Sequence, residues 1–443
     1  MKILCIGYYD KFSRFFMGIE KELRPHYPNL KFKIFSLYLS GFFYSFLRRQ
    51  PSSWLTQKAL FQVFKHKKKY TQIIESNAVY KNLDLNKLID YHFKLNKKAS
   101  KKQLLLQAAA YIDIIDEQLQ QKPDFLLLIG DLRLPVEIAK LLAQQHNIKT
   151  FFIEQGPFQT TIFDEKGVNA NHSIRGFNPG ENQETVSGAG KKLNSKKPKP
   201  KKYSRFPFYR GMDYFLEFSL QKTALYPPDL KMNQSLFSRF TFDKKTRENL
   251  YFPVDKNYRN PIFFLICQVP FDVNMTHHSP HYSNHFEILK DVYENLPANS
   301  TLVVREHPIY KGKYGEDFYK FIKENKIYVD FQESASPVLE KANVVIVNNS
   351  TIGLEAISKY KKTVVLGDAY YDSSGLCLKL KQKENLKILL EKALVYDINQ
   401  KNVNNFMTEF TENHLLEGFI TDKNLKSPKT IASGLMKLYR ENS

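Results

Sequence analysis

Two runs of aliphatic, largely β-branched residues, Thr301-Leu302-Val303-Val304 and Val344-Val345-Ile346-Val347, constrain this chain more than any other feature. Each is short, apolar and bounded by polar residues, the pattern of a parallel strand buried on both faces. Similar runs at 262–266, 327–331 and 363–366 are set off from them by helix-length segments, which calls for a parallel sheet wound with helices. The first half repeats the scheme. Strands are expected at 2–7, 125–129 and 150–153, and helices at 99–121, with an apolar stripe through Leu104, Leu105, Ala108, Ile112 and Ile115, and at 134–146. The stretch 30–98 reads as mostly helical, 178–205 as a loop, 206–250 as helical, and Pro253 to Asn260 as a linker.

A chain of 443 residues can bury two such cores. The expected domains are 1–255, with a helical and basic insertion at about 178–250, then 256–412, with helices at 413–443 packing back on the first domain. The net charge of +21 gathers in runs, Lys65 to Lys69 around His66 and Lys191 to Lys202 with Pro198 and Pro200. Lys-Pro repeats fit a solvated linker, and equally an anionic membrane surface or a polyanionic glycan. Aromatic residues are plentiful, but no nucleic-acid-binding motif organises them, so nucleic acid is not the expected partner. Cys5, Cys267 and Cys377 lie far apart without metal-ligand spacing, as in a reducing compartment. The N-terminus lacks a signal-peptide core, and Phe35 to Leu47 falls short of a membrane span. The expected location is cytoplasmic, with peripheral attachment to the cytoplasmic face of the inner membrane.

In open parallel sheets ligands collect outside the carboxyl ends of the strands. The polar strings there are the candidates. Arg305-Glu306-His307-Pro308 offers an imidazole fixed by a stiff turn, and Asn348-Asn349-Ser350-Thr351-Ile352-Gly353 leads into a helix through Glu355. Two hydroxyls and the free N–H groups of a helix start suit a phosphate, although an ordinary Ser/Thr cap reads the same taken alone. Cys267-Gln268-Val269-Pro270-Phe271-Asp272 follows another strand, with Asp272 a candidate nucleophile or a helix cap. In the first half, Glu154-Gln155-Gly156-Pro157 follows a strand and precedes Asn169-Ala170-Asn171. Glu154 can serve as a general base on a sugar hydroxyl, or simply cap a turn. His277, His278, His281 and His285 lack the Cys or Glu that would complete a metal set, and some of them are expected to line a sugar or acceptor pocket. No Asp-x-Asp pair occurs, which argues against a metal-held nucleotide diphosphate. No cofactor or metal is expected.

Taken together and in order, five strings between residues 150 and 375 resemble the bacterial Kdo transferases of capsule and lipopolysaccharide assembly. They are Glu154-Gln155-Gly156 with Gly167-Val168-Asn169; Gln268-Val269 with Asp272; Arg305-Glu306-His307-Pro308; Asn349-Ser350-Thr351-Ile352-Gly353-Leu354-Glu355-Ala356; and Leu366-Gly367-Asp368-Ala369-Tyr370-Tyr371-Asp372. The resemblance implies an α/β chain of GT-B type, two doubly wound Rossmann-like domains facing across a cleft, a layout that periplasmic-type binding proteins and some epimerases share. It further implies CMP-Kdo as donor, a glycan or lipid-linked glycan as acceptor, and retention of configuration by double displacement. Asp272, Glu154 and His307 would be catalytic. Gln268, Arg305, His307, Pro308, Asn349, Ser350, Thr351, Gly353 and Glu355 would bind the donor, and Gln155, Gly156, Asn169 and Asn171 would line the acceptor or sugar pocket. Glu-Gln-Gly-Pro followed by Asn-Ala-Asn is nearer the O-antigen type than the capsule-linker type. The alternatives are an inverting sialyltransferase using CMP-sialic acid and, from another class, a non-catalytic polyanion-binding protein.

Overall fold

The computed structural model describes residues 1–96, 99–180, 201–203, 206–223, 225–231, 260–270, 272–332, 334–373 and 375–441. They fall into two compact units, one within Met1–Val168, Lys196–Gln234 and His414–Ser443, the other within Asn169–Ser195 and Ser235–Asn413.

In the first unit the strands β1 (Lys2–Gly7), β2 (Lys31–Ser36), β3 (Ser52–Trp54), β4 (Phe125–Ile129), β5 (Lys149–Gln155) and β6 (Thr160–Asp164) share one sheet. Its order is β6-β5-β4-β1-β2-β3, with the strand Leu415–Glu417 outside β6. The five strands from β5 to β3 run parallel, whereas β6 and Leu415–Glu417 are antiparallel additions. Every residue of β4 is buried, as a strand covered on both faces requires. Helix Asp10–Leu23 turns Phe12, Phe15, Phe16, Ile19 and Leu23 inward at helical spacing, and they share one core with Ile431, Ala432 and Leu435 of helix Ser427–Glu441. Helix Lys101–Leu119, capped by Ser100, is buried almost all round.

The second unit holds an all-parallel sheet of β7 (Ile262–Ile266), β8 (Thr301–Arg305), β9 (Tyr328–Val329), β10 (Val344–Val347), β11 (Lys362–Val365) and β12 (Leu378–Lys379), in the order β9-β8-β7-β10-β11-β12. The two doubly wound α/β units expected of a GT-B-type chain are thus both present.

Most expected elements lie within two residues of the observed ones, but four differences are informative. The stretch 30–98 is helical over 39–46, 55–65, 67–76 and 85–95, yet it also carries the strands β2 and β3. Lys31 and Lys33 alternating with Phe32 and Ile34 give β2 its period of two. The strand expected at 327–331 shortens to Tyr328–Val329. Residues 169–180, expected in the first domain, group with the second unit. Arg175 holds them there, donating to Asp372 Oδ1 at 3.1 Å and to Asp368 Oδ1 and Asp372 Oδ2, each at 2.9 Å. Of the helical stretch expected at 206–250, helix Pro207–Leu220 is observed, while 232–250, the linker as far as 259, and Lys191 to Pro200 lie outside the described residues. No helix among the described residues is long and apolar enough to cross a membrane.

Candidate functional site

In the second unit the chain steps from β7 to β8 on one side and later places β10 on the other side of β7. That is a topological switch point, where the crevice at the strand ends receives ligands. Gln268 and Asn349 meet there. The Asn349 N–H donates to Gln268 Oε1 at 3.3 Å, and Asn349 Nδ2 donates to the carbonyls of Asn274 and His278, each at 2.9 Å. Both residues are buried, yet Gln268 Nε2 and Asn349 Oδ1 have no hydrogen-bond partner among the described residues. A donor and an acceptor left unspent at a switch point are what a ligand would satisfy.

His307 follows β8. Its N–H donates to the Tyr314 hydroxyl at 2.9 Å, and that hydroxyl in turn donates to the Gln268 carbonyl at 2.9 Å, so the two strand ends are tied together. The Ile309 N–H points at Nδ1 from 3.4 Å, which places the ring proton on Nε2, and burial lowers the pKa. His307 is therefore a neutral hydrogen-bond donor at pH 7. Glu306 is buried and accepts from the Gly312 N–H at 2.8 Å and from the Tyr319 hydroxyl, anchoring the turn through Pro308.

Arg305 departs from expectation. It is buried and ion-paired with Asp330, so it holds β8 to the turn after β9 instead of offering its charge to a donor phosphate. Ser350 sits in the cap position of helix Thr351–Ser358 with extended backbone, but its hydroxyl makes no capping bond, and Thr351 is exposed. The helix start is thus open to an anion. Gly353 lets this helix approach Tyr371, whose hydroxyl a Cβ would strike and which donates to the Ser350 carbonyl; the same Cβ would lie 2.8 Å from Val347. Glu355 stands one turn further along, its carboxyl pushed up by burial and partly offset by Lys359.

Asp272 caps helix Val273–Thr276, its Oδ1 accepting from the Met275 N–H at 3.0 Å. Burial pushes its carboxyl up to about 6, against the lowering effect of the Met275 and Asn274 donors. Asn274 Nδ2 donates to Asn169 Oδ1 at 3.3 Å, which brings Asn169 into the neighbourhood of Asp272. Asn171 is exposed in the same short turn. His285 Nε2 accepts from the Gln268 N–H at 3.1 Å, His281 pairs with the Leu380 carbonyl at 3.2 Å, and His278 is buried under Asn349.

In the first unit the switch falls between β1 and β4. Glu154, at the end of β5, accepts from the Gln155 N–H at 2.9 Å; burial raises its carboxyl, Gln155 and Lys11 oppose that, and Asp131 adds to it. Gln155 is exposed. Gly156 belongs to the β5–β6 hairpin, its N–H donating to the Thr160 carbonyl at 2.9 Å, and a Cβ there would lie 2.5 Å from Thr160 Oγ1. It shapes a turn. Residues the sequence reading passed over stand beside Glu154. Tyr8 donates from its hydroxyl to the Ile129 carbonyl at 2.9 Å, and Arg133, in the cap position of helix Leu134–Gln145, has its guanidinium 5.4 Å from the Tyr8 ring centre. The signal was present: Gly130-Asp131-Leu132-Arg133 is a polar string directly after a buried strand. Arg175 gave none, because its partners lie nearly two hundred residues away.

Every donor-side candidate lies within one recognisable segment. Residues 229–405 match the capsule polysaccharide biosynthesis protein family. This agrees with the superfamily that the five strings resemble. Glu154, Gln155, Gly156, Asn169 and Asn171 fall outside the matched residues. Protein FixF of Sinorhizobium fredii is 25% identical over 284 residues, 62% of this chain and 56% of that protein. The capsule polysaccharide modification protein LipB of Neisseria meningitidis is 33% identical over 98 residues, 20% of this chain and 23% of that protein. The chain therefore spans about half the length of the first of these relatives and less of the second. Among solved structures, the KpsC beta Kdo 2,7 transferase of Thermosulfurimonas dismutans overlays at 16% identity and TM-score 0.37, covering 74% of this chain and 90% of that one. The UDP-GlcNAc 2-epimerase of Methanocaldococcus jannaschii overlays at 14% identity and TM-score 0.34, covering 99% and 100%. At those scores the likeness bears on neither fold nor function.

Proposed function

We propose that this chain transfers Kdo from CMP-Kdo to a glycan acceptor in capsule or lipopolysaccharide O-antigen assembly. The observation that carries the reading is the unspent pair Gln268 Nε2 and Asn349 Oδ1, buried beside a helix start whose Ser350 hydroxyl makes no cap bond. In this reading the phosphate of CMP takes hydrogen bonds from His307 Nε2, Ser350, Thr351 and the helix N–H groups, and its neutralised charge makes CMP a better leaving group. Asp272 attacks the ketosidic carbon as the carbon–oxygen bond to CMP breaks, and the bonding pair leaves on the phosphate. Glu154 takes the proton of the acceptor hydroxyl, which displaces Asp272 and restores its carboxylate, so two inversions retain configuration. No metal enters this scheme, so chelation by EDTA should leave turnover unchanged. Attachment to anionic lipid through Lys191–Lys202 belongs to the same proposal, worth at most about 1 kcal/mol per lysine near the surface.

The capping bond of Asp272 favours a second reading, single displacement from CMP-sialic acid, in which no carboxylate attacks the sugar. Incubation with CMP-Kdo, CMP-sialic acid and a panel of glycan acceptors separates the two by donor and by product anomer. The first reading expects turnover of CMP-Kdo with retention, and a one-Kdo mass increase on the peptide holding Asp272 when Glu154→Gln slows the second step. Salt-sensitive binding to nucleic acid with no turnover of either donor would overturn both.

A further inference from the structure

Eight of the fifteen large apolar side chains left exposed among the described residues lie on, or directly beside, three helices of the first unit: Leu39–Phe46, Leu55–Lys65 and Pro207–Leu220. Phe61 and Phe64, one turn apart, are 64% and 85% exposed, and Phe215 is 69% exposed. Leu55 and Ala59 of the same helix as Phe61 are fully buried, so that helix is apolar on two faces and uses only one of them for the core. Single exposed apolar residues need no explanation, but a contiguous set does.

These helices border a cavity of about 410 Å³, lined by Tyr38, Trp54, Leu60, Phe61, Leu216 and Leu220 among others. The volume falls in the small-molecule range of about 300–1,000 Å³. Its one charged lining residue, Asp213, already accepts from the Ser40 N–H at 3.0 Å and the Ser40 hydroxyl at 2.5 Å. The lining therefore suits a hydrocarbon chain. Charge selects what carries that chain. Lys58 and Lys65, on the same helix as Phe61 and Phe64, and Lys67 and Lys68, which open the next helix, are exposed and form no ion pair among the described residues, whereas Lys69 is paired with Asp113 at 2.9 Å. A second copy of the chain would set these lysines against themselves, and an anionic lipid surface would not.

We propose that this face of the first unit docks on an anionic phospholipid bilayer, with the phenylalanines entering the acyl region, the lysines meeting the headgroups and one acyl chain occupying the cavity. The proposal is independent of any sugar chemistry and of the Lys191–Lys202 run. Trp54 is the only tryptophan of the chain and lines the cavity, its indole N–H donating to the Leu37 carbonyl at 3.2 Å. It therefore reports on the occupant directly. The full chain would be mixed with vesicles of phosphatidylcholine, alone or with phosphatidylglycerol, carrying brominated acyl chains. Sedimentation with the anionic vesicles and quenching of Trp54 fluorescence are expected. The double variant Phe61→Ser, Phe64→Ser should bind about tenfold more weakly or worse, with less quenching and an unchanged urea midpoint, because both side chains are exposed in the folded state. Binding without quenching, or unaltered binding by the double variant, would place attachment elsewhere and overturn the proposal. So would no binding at all, or a concentration-dependent dimer that the double variant abolishes.

Discussion

Burial drives the protons of Asp272 and His285 in opposite directions. Burial lifts the Asp272 carboxyl to about 6. If the ionised carboxylate attacks the sugar, kcat/KM should fall about tenfold for each pH unit below 6, and Asp272→Asn should show donor binding without turnover at any pH. A profile flat from pH 5 to 8 would remove Asp272 from the chemistry. For His285, burial, with His307 adding to it, lowers the pKa from 6.5 to about 3. The folded state keeps this ring neutral while the unfolded chain protonates it near 6.5. Its stabilising contribution is therefore complete above that pH and is lost as the pH falls toward 3. Urea midpoints measured from pH 7 down to 4 should drop more steeply for the wild type than for His285→Gln.

Helix Thr351–Ser358 owes its place to what Gly353 lacks. A methyl group there meets the Tyr371 hydroxyl and Val347, so Gly353→Ala should cost about 1–3 kcal/mol by denaturant unfolding. It should also weaken CMP binding by calorimetry, since Tyr371 holds the Ser350 carbonyl. The string that names this helix could be read without coordinates because its information is local: a buried strand, two hydroxyls, then helix formers. The parallel strands were legible for the same reason, β7 and β10 being apolar throughout and β8 apolar between Thr301 and Arg305. Strand β2 and the edge strand β3 were not, since polar residues alternate with apolar ones in β2 and β3 is only Ser-Ser-Trp, in a stretch otherwise rich in helix. At the site, position after a strand could be read, but commitment could not. Arg305 and His307 sit two residues apart in one string, and only Asp330, from another strand end, reveals that the first is spent inside the sheet.

The whole molecule is less sequential than its sequence suggests. The first unit is closed by residues from three separate stretches, and Thr161 donates to the Gly418 carbonyl at 2.6 Å while Arg14 donates to the Asp422 carbonyl at 2.8 Å. Removing 414–443 strips the strand beside β6 and the helix over Phe15 and Ile19. That deletion should abolish cooperative unfolding of the first unit and increase dye binding to exposed apolar surface, while the protease-resistant fragment that remains maps to the second unit. Fragments from both units surviving limited proteolysis would show that the last thirty residues are dispensable.

The same arrangement gives the chain an awkward birth. A ribosome delivers Phe15, Phe16 and Ile19 early, but Ile431, Ala432 and Leu435, which share their core, come last. The intervening residues Asn169–Ser195 and Ser235–Asn413 supply the other unit. At the usual rate of about 5–20 residues per second, the leading unit waits on the order of ten seconds to a minute for its lid. The earlier-made stretch of the first unit thus completes its core only after the second unit has been made, and in that interval its bare helix face is open to chaperones and proteases.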